Sequence, residues 1–470
     1  MLNLFKNSSI FIVGIKGTGL SNLALKLAQF NIKVSGSDVA EYFSTQKVLE
    51  QNNIKIIESF DKSLLPPETN FLIYSAAYDK ESHPQIVLAA QKNIPIYSYP
   101  QFLALLSENF TTFAVAGTHG KTTSVAALDF LFNEKKANYL ALYGSQLLTE
   151  TNKLQKELPK FILLEACEYR SHFLNYNLDS LCITTIEHDH PDYFKDEKEV
   201  YVSFYQLVKK LKPKTTVVCF GDNPNTQKLI QTIKNEFKTL NLITFGEQEN
   251  NDYKVVDYKV EDGQSSFNLE PLKQRFSFNF TSLPLVMDLI GAALFAATNS
   301  NSTFEAELSA NLSSLKNFKG CAKRVEFLFE KDQITYIDDY AHHPNEIKTS
   351  LEHLRNKYKN RRIVTIFYPH TYLRTKIFFS HFVEALAQSD LAVIRGIYAS
   401  AREKDEVELN DQLANDLASA LKSPFIKDKT QLLDYLAQSL LPFDVCVTMG
   451  AGNNSDLAYE IAEHKGASNG

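Results

Sequence analysis

The chain has 470 residues, too many for one ordinary core, and this length points to about three domains. Hydrophobic residues make up 44% and charged residues 22%, the balance of a soluble globular protein rather than a disordered or fibrous one. With 49 basic against 55 acidic side chains the formal net charge is -6, which excludes a whole-molecule attraction to nucleic acid or anionic membrane; any polyanion must meet a local site.

Ile10 to Val13 predicts a buried strand, Leu20 to Phe30 a helix and Ile32 to Asp38 a second strand, a βαβ opening. The apolar runs Phe71 to Ser75 and Ile94 to Tyr97 continue the alternation and predict a small doubly wound domain ending near Glu108. Its first turn carries glycines at 14, 17 and 19, where the dinucleotide fingerprint asks for 14, 16 and 19. Lys16 takes the middle place, which argues against hydride chemistry. A pyrophosphate on the helix start with Asp38 on a ribose hydroxyl suits any nucleotide diphosphate, and a tight turn without ligand is the alternative.

Phe113 to Ala116 predicts the strand that opens a second unit. It runs into Gly117-Thr118-His119-Gly120-Lys121-Thr122-Thr123, a glycine-bracketed turn before a helix. Backbone N–H groups at a helix start concentrate positive potential, the glycines let a phosphate chain approach, and Lys121 meets the terminal phosphates. Thr122 is placed to give a hydroxyl to phosphate-bound Mg²⁺. Val115 stands where the strict pattern has glycine, and an ordinary capped helix start is the competing reading.

Strands are predicted over Phe161 to Glu165, Ser180 to Thr184 and Thr216 to Phe220. The charged and aromatic alternation from Asn241 to Phe280 predicts added antiparallel strands, and the unit extends to about Phe318. Glu165 and His190 both follow strands at the carboxyl end of the sheet, where ligands of open α/β sheets collect. With Thr122 they form a candidate Mg²⁺ set. His188 competes with His190 for that place, and Glu187, Asp189 and Asp192 read equally as solvated loop acids.

A third alternation runs through Thr335 to Asp338, Ile363 to Phe367, Leu391 to Ile394 and Val445 to Met449. Asp338-Asp339-Tyr340-Ala341-His342-His343-Pro344 and Tyr368-Pro369-His370-Thr371-Tyr372-Leu373-Arg374-Thr375 lie at the mouths of its strands. Arginine and histidine there suit a substrate carboxylate, which a guanidinium clamps through two charge-assisted hydrogen bonds. Asp339 as a turn cap, and Arg374 and Arg402 as solvated charges, are the neutral alternatives. Disorder is expected from Lys465 onward.

Five cysteines, at 167, 182, 219, 321 and 446, lie far apart without a C-x-x-C pair and suggest neither a zinc knuckle nor a disulfide framework. Met1 to Ser9 lacks the build of a signal peptide, and a cytoplasmic location is expected. The longest apolar run, Leu283 to Ala297, is interrupted by Asp288 and is too short for a membrane span. Neither a nucleic-acid nor a membrane partner is expected, and no oligomeric state is read.

Four motifs in this order, over nearly the whole chain, resemble the Mur ligases of peptidoglycan precursor synthesis. They are Gly14-Ile15-Lys16-Gly17-Thr18-Gly19-Leu20-Ser21, the turn from Gly117 to Thr123, the segment from Asp338 to Pro344, and Pro369 to Thr375. The histidine pair His342-His343 is most similar to the alanine-adding group. The resemblance implies an α/β fold in three domains. Residues 1–108 would be a Rossmann-like UDP-sugar domain and 109–318 a P-loop ATPase-like domain with a mostly parallel sheet. Residues 319–470 would be a Rossmann-like amino-acid domain.

The resemblance also implies an ATP-dependent ligase: ATP phosphorylates the lactyl carboxylate of UDP-N-acetylmuramate, and the amine of L-alanine attacks the acyl phosphate. By position, Lys121 would stabilise the transferring phosphoryl group, while Thr122, Glu165 and His190 bind or position Mg²⁺. Gly117, Thr118, His119, Gly120, Thr122 and Thr123 would cradle the ATP phosphates, with Arg324 beside them, Asp288 near adenine and Asp339 at the ribose. His342, His370 and Arg374 would surround the amino acid, and Gly17, Gly19, Ser21, Asp38 and Ser75 would line the uridine diphosphate site. Thr185, Pro284, Asp288, Ala341, Thr371 and Asn453 depart from the family pattern, which bears on ATP and amino-acid binding. Two alternatives stand beside this reading: a recycling ligase that attaches a preformed murein tripeptide to the same sugar nucleotide, and a nucleotide-sugar-binding regulatory protein with weak turnover.

Overall fold

The computed structural model describes residues 8–148, 159–300, 302–398, 407–450, 452 and 454–468. Arg402 and Asn453 lie outside the described residues. The architecture is α/β, with three mostly parallel sheets. The chain forms two compact units: Met1–Glu187, Val200–Lys254 and Asp288–Leu315 make one, and His188–Glu199, Val255–Met287 and Lys316–Gly470 the other.

In the first unit, β1 (Ser9–Val13) is buried along its whole length, as the central strand of a sheet covered on both faces must be. It is followed by α1 (Thr18–Gln29), β2 (Lys33–Ser37), α2 (Ser44–Gln51), β3 (Lys55–Ile57), β4 (Phe71–Tyr74), α3 (Pro84–Gln91), β5 (Ile96–Ser98) and α4 (Tyr99–Asn109). The strands pair in parallel in the order β3-β2-β1-β4-β5, the doubly wound arrangement that the alternation of apolar runs predicts. The order reverses beside β1, so the turn Gly14–Gly19 opens at the switch point.

The same unit continues with β6 (Thr111–Ala116), α5 (Lys121–Glu134), β7 (Tyr139–Leu142), β8 (Phe161–Ala166), β9 (Ser180–Ile183), α6 (Glu197–Lys209), β10 (Thr216–Phe220), α7 (Pro224–Glu236) and β11 (Asn241–Gly246). Its strand order is β11-β10-β9-β6-β8-β7, all parallel. Helix α5 is buried from Thr122 to Phe132, and its rings join Phe113, Phe161 and Tyr139 in an aromatic cluster around Phe132. A core this well packed fixes the start of α5, and with it the turn before Lys121, against β6 and β8.

The second unit takes β12 (Tyr253–Glu261) from Val255 onward, then β13 (Gln264–Glu270) and β14 (Gln274–Phe278), successive neighbours with β13 and β14 antiparallel. The β13–β14 pair supplies antiparallel strands of the kind expected between Asn241 and Phe280; β11, in the same stretch, is instead parallel to β10, and β12 starts parallel to β11. From Asp288 onward α8 (Leu283–Ala297), and all of α9 (Phe304–Leu315), belong to the first unit; the second resumes with β15 (Glu326–Lys331), β16 (Ile334–Asp339), α10 (Pro344–Lys357), β17 (Ile363–Tyr368), α11 (Tyr372–Ile377), α12 (Phe379–Leu386), β18 (Leu391–Ile394), α13 (Val407–Ala420), α14 (Lys429–Ser439), β19 (Val445–Gly450) and α15 (Asn454–Ser468). The order is β15-β16-β19-β17-β18, with only β15 antiparallel to its neighbour. No described helix is long and apolar enough to cross a membrane.

The disorder expected from Lys465 is corrected: α15 runs on to Ser468. Lys465 is buried, and its ammonium donates to the Ala437 and Leu440 carbonyls at 2.8 Å, satisfying the last turn of α14. Strands β3, β7 and β15 escaped the sequence reading because they are short or lie at sheet edges, where the apolar pattern weakens.

His353 on α10 is buried as a neutral imidazole. Its Nδ1 accepts from the Thr281 N–H at 3.0 Å, and its ring stacks on Phe280. Burial, with Lys357 nearby, pushes its pKa down to about 3. The unfolded chain therefore takes up the proton first, and stability is lost as pH falls from roughly 6.5 toward that value. Denaturant titrations followed by circular dichroism should show the midpoint of the wild-type chain falling as pH drops through this window, with this histidine contributing up to about 1.4 kcal/mol per pH unit. His353→Leu should be less stable at pH 7 and have a shallower slope; an unchanged slope would refute the assignment.

Candidate active site

The turn from Gly117 to Thr123 links the end of β6 to α5, at the carboxyl edge of a parallel sheet. Gly120 takes a left-handed φ of 80° at the helix start, where a Cβ would also collide with the Asp288 carboxylate. The turn is braced from the segment after β9. The Thr118 N–H donates to the Thr185 carbonyl at 2.7 Å, the His119 N–H to the Thr185 hydroxyl at 3.0 Å, and the Glu187 N–H to the Thr118 hydroxyl at 2.9 Å. His119 also lies 3.4 Å from the Glu187 carboxylate. The Thr185 side chain thus makes a specific contact to this turn.

Thr122 donates to Glu165 at 2.9 Å, and the other Glu165 oxygen accepts from the Gly144 N–H at 2.9 Å. A hydroxyl beside a carboxylate is a hard oxygen set of the kind Mg²⁺ takes when phosphates and waters complete its shell. Among the described residues, no three His, Cys, Asp or Glu side chains converge as a metal site. His190 falls in the second unit, with a left-handed φ of 53° and its N–H donating to Asp189 at 2.6 Å. Thr123 is buried in the first turn of α5, and Asp288 presents its carboxylate to Gly120 and its carbonyl to the Ser124 hydroxyl at 3.3 Å.

Lys121 is held by its own turn, donating to the Gly117 and Thr118 carbonyls, and by Glu168 at 2.9 Å. Burial would lower its pKa, but the facing charges, Glu168 foremost, reverse this and raise it above the ordinary lysine value.

At the first turn, Gly17 donates to the Gly14 carbonyl at 3.1 Å, Gly19 faces the Tyr99 ring, and Ser21 is buried with its hydroxyl on the Thr18 carbonyl at 3.0 Å. The Ser75 hydroxyl accepts from the Ala77 N–H at 3.3 Å in the turn after β4. Asp38 gathers three donors: the N–H groups of Lys16 at 2.7 Å and Val39 at 2.9 Å, and the Tyr78 hydroxyl at 3.2 Å. The Lys16 side chain is buried and turns to the carbonyls of Val39 and Glu41, both at 2.9 Å, and to Glu58 at 2.7 Å.

In the second unit, Arg374 is 3% exposed and far from a solvated helix charge. Its guanidinium reaches Asp189 at 3.0 and 2.9 Å and the His370 Nδ1 at 3.0 Å, and the His342 and His370 rings meet edge to face at 5.5 Å. Asp189 is likewise buried; desolvation would raise its pKa, but Arg374, with the neighbouring histidines, holds it well below the carboxylate range. Burial pushes His342 down to about 4 and His370 well below the usual histidine value. His342 Nδ1 pairs with the Tyr340 carbonyl at 2.9 Å. Arg324 reaches Glu346 at 3.3 Å, and Asp339, raised to about 6 by burial, accepts from the Ala341 N–H at 3.1 Å.

The sequence reading missed Glu168, Asp189 as an ion-pair partner, and Glu346. The available signals were modest: Glu168 and Asp189 each lie close to a residue already singled out. Glu346 occupies the third position of a helix whose N-cap, His343, forms a capping box with it.

The chain matches three family models: "Mur ligase family, catalytic domain" over residues 9–111, "Mur ligase middle domain" over 115–302 and "Mur ligase, glutamate ligase domain" over 323–452. It is 33% identical over 461 residues to a UDP-N-acetylmuramate–L-alanine ligase of Borreliella burgdorferi, covering 95% of this chain and 97% of that protein. It is 34% identical to the ligase of the same name from Desulfitobacterium hafniense, over 94% of this chain and 97% of that one. Among solved structures, a UDP-N-acetylmuramate–alanine ligase from Thermotoga maritima shares the fold with a TM-score of 0.79 at 22% identity, covering 98% of this chain and 99% of the other. A murein peptide ligase from Psychrobacter arcticus does so with a TM-score of 0.73 at 20% identity, over the same shares. Three family matches in sequence order, with relatives above 30% identity along nearly the whole length, lead to one conclusion: the chain belongs to the Mur ligase family.

Proposed function

We propose that the chain is an ATP-dependent ligase that joins L-alanine to the lactyl carboxylate of UDP-N-acetylmuramate through an acyl phosphate, in the cytoplasmic synthesis of peptidoglycan precursors. The observation that carries the reading is the braced turn before Lys121, with Thr122 hydrogen-bonded to Glu165, in a chain 33% identical over 95% of its length to an alanine-adding ligase. Residues 1–108 take the sugar nucleotide, 109–318 ATP, and 319–470 the amino acid.

Phosphoryl transfer needs positioning and charge neutralisation more than covalent protein chemistry. Lys121 and the N–H groups opening α5 hold the phosphates, Arg324 neutralises charge beside them, and Asp288 and Asp339 serve the adenosine end. Thr122 and Glu165, with His190, would hold Mg²⁺, which would supply neutralisation of phosphate charge. Arg374 orients the amino-acid carboxylate, and His342 and His370, kept neutral by burial, offer hydrogen bonds without competing for that carboxylate as cations. Gly17, Gly19, Ser21, Asp38 and Ser75 line the uridine diphosphate site.

Phosphate release should require ATP, Mg²⁺, the UDP-sugar and L-alanine together. If the free tripeptide worked and alanine did not, the recycling reaction would replace this reading. If sugar nucleotide bound without amino-acid-dependent ATP cleavage, a regulatory role would. Lys121→Ala should abolish turnover while leaving UDP-sugar binding, measured by calorimetry, nearly intact; parallel loss of both would show that the two sites are misassigned. Arg374→Lys keeps the charge and loses the planar fork, so KM for L-alanine should rise about tenfold or more with KM for the sugar nucleotide unchanged. An unaltered alanine KM would remove Arg374 from the amino-acid site.

A further inference from the structure

Lys121 is the side chain on which ATP binding is proposed to turn, and its ammonium has three N–H donors. All three are engaged within the chain: two on the Gly117 and Thr118 carbonyls of its own turn, the third on the Glu168 carboxylate. The second Glu168 oxygen lies at 3.3 Å from the same nitrogen, and both side chains are shielded from water, at 11% and 2% exposure. This is a desolvated ion pair inside a phosphate cradle, with a carboxylate where an anion is expected.

The backbone around Glu168 is built to present that carboxylate. Glu168 stands two residues beyond the end of β8, and its carbonyl accepts from the Ser171 N–H at 2.8 Å. The two residues that follow Tyr169, Arg170 and Ser171, both take left-handed φ, 52° and 54°, uncommon for non-glycine residues and doubly so in succession. Ser171 is anchored by its hydroxyl to Ser203 at 3.1 Å. Strain of this kind persists where surrounding contacts over-determine it, and it clusters at sites that bind or switch.

We propose that Glu168 is an internal stand-in for phosphate: it parks Lys121 in the nucleotide-free chain and is exchanged for the ATP phosphates on binding. A phosphate recruits the ammonium at the expense of one of these three contacts, and where it displaces Glu168, the charged partner, apparent nucleotide affinity is reduced by the fraction of molecules in which the lysine is parked. The pair also keeps the buried cation from standing uncompensated. Glu168 is thus a positioning residue, acting on ATP through Lys121. The inference rests on the reading that this turn takes ATP.

Binding of ATP with Mg²⁺, measured by calorimetry on the full chain, tests it in a double-mutant cycle. Glu168→Gln keeps shape and hydrogen bonding but releases the charge, and should tighten ATP binding by about fivefold or more; in a Lys121→Ala background the same change should move affinity by less than about twofold. Glu168→Ala is measured beside it, and thermal melting identifies either variant that fails to fold. Weaker or unchanged ATP binding in a folded Glu168 variant, or an equal gain in both backgrounds, would overturn the proposal. Failure of the wild-type chain itself to bind ATP would instead overturn the function proposed above.

Discussion

The structure depends on a short turn held rigid at the end of a buried strand. Gly117 and Gly120 let the chain reverse so that the first N–H groups of α5 face outward, but glycine alone would leave that turn loose. Rigidity comes from Thr185 and Glu187, whose hydrogen bonds fasten Thr118 and His119, and from α5 itself, buried along most of its length. Oriented donors fixed before a ligand arrives need no reorganisation when charge develops on it, which is how electrostatic stabilisation becomes effective.

The cations singled out at the sites share a second feature: each is held by a carboxylate of the chain. Lys121 meets Glu168, Arg374 meets Asp189, Arg324 meets Glu346, and Lys16 meets Glu58. The desolvation cost of a buried cation is large, and a carboxylate with good geometry offsets it. The consequence differs by site. Lys16 is turned away from the first helix start by bonds to Val39, Glu41 and Glu58, so it braces the loop that carries Asp38 instead of approaching that turn's N–H groups. At Lys121 and Arg374 the paired cation is the group proposed to receive an anionic ligand, so a ligand there meets a cation already paired with a carboxylate of the chain.

Much of this was legible in the chain. Strands β1, β6 and β16 announced themselves as short apolar runs ending in glycine or aspartate, and the Gly-Lys-Thr turn read as the link from a strand into a helix, which it is. What stayed hidden follows from physical causes. Strand β7 is only Tyr139–Leu142, too short for periodicity to separate from a buried helix turn. Asp189 and Arg374 are separated by 185 positions, and no local pattern encodes a contact at that range. Asp189 in sequence is one acid among several in a polar loop; only folding removes it from water and gives its charge a partner.

The departures from the family pattern become intelligible on the same terms. At Thr185 the side-chain hydroxyl accepts from the His119 N–H and so braces the turn. Asp288 lies against Gly120, where even a Cβ on the glycine would collide with its carboxylate. An acid in that place adds negative charge at the base of the phosphate turn, opposing the field of the helix start while leaving the backbone donors in place. Lys121 and the neighbouring N–H groups must therefore supply more of the attraction for a polyanion than they would beside a neutral amide, which makes the state of the lysine, parked or released, the more decisive term in how tightly the turn holds its ligand.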